Sequence, residues 1–147
     1  MKNNLINKQT FININNKFKN IVKTNSLISA DDISIIPIVK DGNCFYRSIS
    51  FFLLGDEIYY MNIKELIINW IIDNYLHFES FFSDDEANNI SKEIIAKQEF
   101  EYIKANDSWG TYHTFEIACM IFNLSFAVYT YDGTNLFNKN FLFENRK

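Results

Sequence analysis

The sequence predicts an α+β domain, and three observations carry that expectation. Apolar residues recur at helical spacing through the middle of the chain. Strand-like runs flank that region, a β-branched one at 33–39 and an alternating one at Phe126–Tyr131. An Asp132-Gly133 pair, a residue combination suited to a two-residue hairpin turn, leads from the second run into another apolar stretch at 136–143. The order is strand, helices, strands, which suits either an α+β or a three-layer α/β/α arrangement.

Each element has a local justification. Residues 1–26 form an arm rich in Asn and Lys, with a short helix expected at 18–22. The run 33–39 holds Pro37, which cannot donate to a ladder, so this strand is short or lies at an edge. Cys44 to Leu54 is apolar nearly all round and reads as a centrally buried helix ended by Gly55. Over 62–76 an amphipathic helix turns Ile63, Leu66, Ile67, Trp70 and Ile71 inward, with Lys64, Glu65, Asn69 and Asp73 opposite. Ser83-Asp84-Asp85-Glu86 is a capping-box sequence. It opens a helix expected to include Ile90, Ile94 and Ile95 and to break before Phe100. Asn106-Asp107-Ser108 is a turn, and a helix follows from about Thr114 with Phe115, Ile117, Ala118, Ile121 and Phe122 inward. Cys119, Trp70 and Trp109 read as packing residues, and Asp56-Glu57 as a solvated face or cap.

The totals narrow the function classes. A chain of 147 residues is the size of one domain, and 48% hydrophobic with 17% aromatic residues marks a globular one. A net charge of −4 argues against a nucleic-acid partner. No apolar run reaches the length of a membrane span, and the basic N-terminus lacks the apolar core of a secretory signal. Two cysteines without a Cys-x-x-Cys pair exclude a zinc ribbon and a disulfide scaffold, and point to a reduced, intracellular, cytoplasmic setting.

The stretch Asp41-Gly42-Asn43-Cys44-Phe45-Tyr46-Arg47-Ser48 carries the strongest chemical signal. Gly42 permits a turn that other residues resist, and Asn43 suits an N-cap. Cys44 then falls in the first helical turn, where unpaired N–H groups and the helix dipole favour a thiolate nucleophile. The same residues also suit a small buried hydrophobe that starts a core helix.

This stretch closely resembles the catalytic motif of OTU (ovarian-tumour-type) cysteine proteases. Trp109-Gly110, followed by Glu116-Ile117-Ala118, resembles that family's second motif, with Thr111 standing where Gly is usual. The likeness implies a papain-like fold over 27–147, with a small central sheet packed by helices. It implies an isopeptidase acting on ubiquitin or a ubiquitin-like modifier, as a monomer, without cofactor or metal, in its own or a host's cytoplasm. Cys44 would be the nucleophile. Asp41 and the backbone N–H groups of Asp41, Gly42, Asn43 and Cys44 would form the oxyanion hole, and Trp109 and Gly110 would border the substrate groove. The family's general base is a His on a strand after the hairpin, whereas the two histidines here are His77 and His113. His77 suits a helix C-terminus; His113, beside the second motif, is the candidate base. The expectation is a C-terminally truncated domain lacking the final strand, with a ubiquitin-binding pseudo-enzyme as the alternative. Arg47 is expected to pair with an acidic residue, Glu116 being the candidate.

Overall fold

The computed structural model describes residues 35–131 and 137–143. Within them the helices are α1 Cys44–Leu54, α2 Tyr60–Asp73, α3 Tyr75–Glu79, α4 Lys92–Lys104 and α5 Tyr112–Phe122. A 3-10 turn, η1 Glu57–Tyr59, joins α1 to α2, and strands β1 Phe126–Tyr131 and β2 Phe137–Phe143 follow α5. The expected arm at 1–26, the helix at 18–22 and the Asp132-Gly133 turn lie outside the described residues.

Helix α2 is the hub. Ile63, Ile67 and Ile71 repeat every four residues, so they stay on one side of the helix. Helices α1, α3, α4 and α5 all pack against it. Around that stripe the core gathers Phe45, Tyr46 and Ile49 from α1, Phe78 from α3, Ala96 and Ile103 from α4, and Ile117 and Ala118 from α5. Burying such a side chain stabilises by about 1.5–3 kcal/mol against the entropy of ordering it. Cys119 is buried and Trp70 packs against the core, as expected.

The central place given to α1 therefore belongs to α2. On α1 only Phe45, Tyr46, Ile49 and Ser50 are buried, while Phe52 is 73% and Leu54 56% exposed. A helix apolar all round buries only the sides its neighbours cover. The phase of α2 also differs from the expected one. Lys64 is 3% exposed, and Leu66 is 51% exposed. Lys64 lies three residues before Ile67 and seven before Ile71, which places it on the buried stripe. The helix expected to reach residue 76 breaks at Asn74, whose side-chain amide donates to the Trp70 carbonyl at 2.9 Å. Asn competes with the helical backbone in this way. The break re-aims α3 so that Phe78 enters the core.

Two further helix boundaries moved. Residues 83–86 do not start a helix. Asp85 and Ile90 instead pair across a turn, and its carboxylate accepts from the backbone and side chain of Asn88. Helix α4 starts at Lys92, whose N–H donates to Asp84 Oδ1 at 2.8 Å. The acidic cap predicted locally is thus supplied from eight residues away. The break expected before Phe100 is absent, and α4 runs through Phe100 and Tyr102 to Lys104. Helix α5 begins at Tyr112 under a reciprocal Thr111–Thr114 capping box.

Strands β1 and β2 form an antiparallel hairpin from Phe126 opposite Phe143 to Tyr131 opposite Phe137, with a bulge at the Val128–Tyr129 step. Residues 35–39, expected as a strand, pair with no strand among the described residues. Pro37 removes one ladder donor, and β-branching alone gives extended backbone without a partner. The described part is thus a helical body with one hairpin. No helix in it is long and apolar enough to cross a membrane.

Candidate active site

Gly42 begins the site. Its φ is +87°, in the left-handed region that favours glycine. A Cβ at Gly42 would stand 2.9 Å from the Asp107 carbonyl oxygen, so the chain turns hard against the 106–108 turn. Asn43 follows, 4% exposed, at the N-cap position of α1. Its side chain makes no cap. Nδ2 donates instead to Asp107 Oδ1 at 2.8 Å, across 64 residues of sequence.

Asp41 organises the other side of the turn. Its carboxylate accepts the Asn43 backbone N–H at 3.0 Å. It also accepts Arg47 Nη2 at 2.6 Å and Nε at 3.1 Å to both oxygens. Such forked pairs are stronger and more directional than single hydrogen bonds. Arg47 holds the Asp41 carboxyl below its usual range despite partial burial, and Asp41 raises Arg47 in return. Arg47 Nη1 reaches Glu57 Oε1 at 3.2 Å, and the guanidinium lies 3.9 Å over the Tyr60 ring. Arg47 therefore pairs with Asp41 and Glu57 rather than Glu116, and Glu57 is an ion-pair partner rather than a solvated charge.

This scaffold presents Cys44, exposed, as the first residue of α1. The N–H groups of a first turn have no intrahelical acceptor and face outward with the positive end of the dipole. Of the loop amides expected to meet an oxyanion, that of Asn43 is already given to Asp41. One turn on, Ser48 Oγ donates to the Cys44 carbonyl at 2.7 Å.

Cys44 opens onto a cavity of about 710 Å³. Phe45, Ile49 and Phe52 of α1, Trp109-Gly110, Phe115 and residues 124–128 line it. Trp109, expected as a packing residue, is 67% exposed at its edge. Gly110 sits where a Cβ would be 2.6 Å from Phe45 Cγ, so only glycine lets the second motif pack on the first. The two motifs read in the sequence thus meet at one cavity.

His113 faces elsewhere. Its Nδ1 lies 2.7 Å from Glu99 Oε2, and its ring packs on Phe81 and Phe82 at centroid distances of 5.7 and 4.4 Å. It is not among the residues lining the Cys44 cavity. His77 lies against Trp70 and Phe81, its ring tilted to both at centroid distances of 5.3 and 5.2 Å. Among the described residues no group of acidic, His or Cys side chains is arranged to hold a metal.

Sequence reading missed Asp107 and Lys64. Asp107 carried only a turn signal, since a bond spanning 64 residues leaves no local mark. Lys64 was legible: counting three residues back from Ile67 and seven from Ile71 places it on the buried stripe.

A family model described as OTU-like cysteine protease matches residues 39–145. A curated relative, the OVARIAN TUMOR DOMAIN-containing deubiquitinating enzyme 7 of Arabidopsis thaliana, is 36% identical over 58 residues. That stretch covers 40% of this chain and 16% of the relative.

Proposed function

The chain belongs to the OTU-like cysteine protease family, and from that premise we propose that it is a thiol isopeptidase. It cleaves ubiquitin or a ubiquitin-like modifier from proteins, and its domain occupies residues 27–147. One observation carries the reading: an exposed Cys44 at the first turn of α1, held by the Asp41–Arg47 scaffold, opens onto a cavity bordered by Trp109-Gly110. The printed name of the Arabidopsis relative supports a deubiquitinase assignment.

In this reading the Cys44 thiolate attacks the carbonyl carbon at the modifier's C-terminus. The first-turn amides of α1 stabilise the developing oxyanion. Asp41 holds the shape of that turn, because its oxygens already accept from Arg47 and Asn43. The C–N bond breaks, the amine leaves with a proton, and water hydrolyses the thioester to a carboxylate and the free thiol. His113 is the base to be tested; to serve Cys44 its ring would have to leave Glu99, Phe81 and Phe82, against which it packs away from the cavity. The protein acts as a monomer in a cytoplasm, its own or a host's. A second reading, a ubiquitin-binding pseudo-enzyme, draws on the placement of His113 against Phe81 and Phe82.

A ubiquitin probe with a C-terminal electrophile tests the proposal. The wild-type chain is expected to be labelled and Cys44→Ala not; no labelling of folded wild type overturns the catalytic reading. Binding of ubiquitin without labelling establishes the second reading instead. His113→Ala with unchanged turnover removes that residue from the mechanism.

A further inference from the structure

The Asn43–Asp107 bond raises the question of what holds Asp107. Asp107 itself has φ +56°, a left-handed turn conformation that Asp adopts more readily than most residues. Something must fix the turn that carries it. Lys64 of α2 does so from beneath. Its Nζ donates to the Ala105 carbonyl at 2.5 Å and to Ser108 Oγ at 3.1 Å. Ser108 Oγ donates onward to the Ile103 carbonyl at 3.1 Å. The ammonium also lies 5.5 Å from the Tyr46 ring centre. Lys64 thus grips both ends of the 105–108 turn, and Asp107 projects from that turn to Asn43.

Burial pulls the Lys64 amine down from the usual lysine range, while the Asp107 carboxylate opposes that shift. A lysine is rarely buried unless its donors are used. Here they are spent on the turn behind Cys44, in the middle of a hub helix that touches the rest of the body.

We propose that Lys64 is a positioning residue for the candidate site: it clamps the 105–108 turn, and through Asp107 and Asn43 it sets the geometry of the Gly42–Cys44 turn. The role rests on Cys44 being the reactive group of the proposed function. It goes further by assigning the site's rigidity to one amine on a separate helix.

The test uses the full chain with Lys64→Met, which keeps the stem and removes the donors, and Asp107→Ala, which cuts the link beyond it. Two quantities are read on protein confirmed as folded: backbone amide NMR shifts of Gly42, Asn43 and Cys44, and the rate of iodoacetamide alkylation at Cys44, resolved from Cys119 by mass spectrometry. Both variants are expected to move the same loop amides and to lower the Cys44 rate roughly tenfold. The double variant loses no more than the worse single one, because both act along one path. Lys64→Arg, which restores a donor, recovers part of the rate. Unmoved loop amides and an unchanged rate in folded Lys64→Met overturn the proposal, as do fully additive losses. If Lys64→Met does not fold, Asp107→Ala decides: loop amides and rate both unchanged refute the path. None of these readouts requires ubiquitin, so the two failures are told apart: failed probe labelling counts against the proposed function, and unmoved loop amides with an unchanged rate count against the Lys64 clamp.

Discussion

At Gly42 two constraints coincide. The backbone is at φ +87°, and the carbonyl of Asp107 stands 2.9 Å from where a Cβ would go. An Ala there meets both the left-handed penalty and a backbone contact that cannot move without releasing Asn43. Gly42→Ala is expected to cost about 2 kcal/mol or more in urea unfolding and to slow alkylation of Cys44. Unchanged stability and rate contradict the close approach. The need for glycine was legible, because a turn into a helix start calls for it. Its second reason was not, because Asp107 approaches from a distant segment. Asn43 teaches the same lesson. It occupies the N-cap position that its residue type predicts, yet its amide serves Asp107.

Helices formed where apolar periodicity placed them, and their ends shifted where side chains found better partners. Asp84 belonged to a predicted capping box but caps α4 at Lys92 instead. A carboxylate at a helix start satisfies an orphan donor and meets the dipole wherever it comes from in sequence. Asp84→Ala is expected to cost about 1 kcal/mol in chemical denaturation, and Asp84→Asn less, since an amide oxygen still accepts. Equal and negligible effects of both would exclude Asp84 as the cap. The phase of α2 was open to a better count, since Ile63, Ile67 and Ile71 define the buried stripe and carry Lys64 with them. The break at Asn74 was not, because the same periodicity continues beyond it.

For the molecule as a whole, the Asp41–Arg47–Glu57 cluster ties the turn before α1 to the η1 turn that opens α2. Arg47, the main cause, depresses the Asp41 carboxyl below its reference value of 3.8. A depressed carboxyl contributes stability that is present above its unfolded value and lost as pH falls through its folded value. Thermal unfolding followed from pH 6 to pH 2 is therefore expected to fall off below about pH 4. Asp41→Asn is expected to be less stable at neutral pH and to have a flatter acid limb. Parallel curves for the two proteins would exclude Asp41 as a source of the acid sensitivity.

Near neighbours in the chain wrote most of what could be read early: the Gly42 turn, the start of α1 at Cys44, the α5 stripe and the β1 strand. These depend on backbone geometry and periodicity, which act over a few residues. Folding chose the partners. It took Arg47 to Asp41 and Glu57, set His113 on Glu99, and joined Asn43 to Asp107 above the buried amine of Lys64. Such pairings follow from which surfaces meet when α2 becomes the hub, and a polar group removed from water must take whatever partner that meeting supplies.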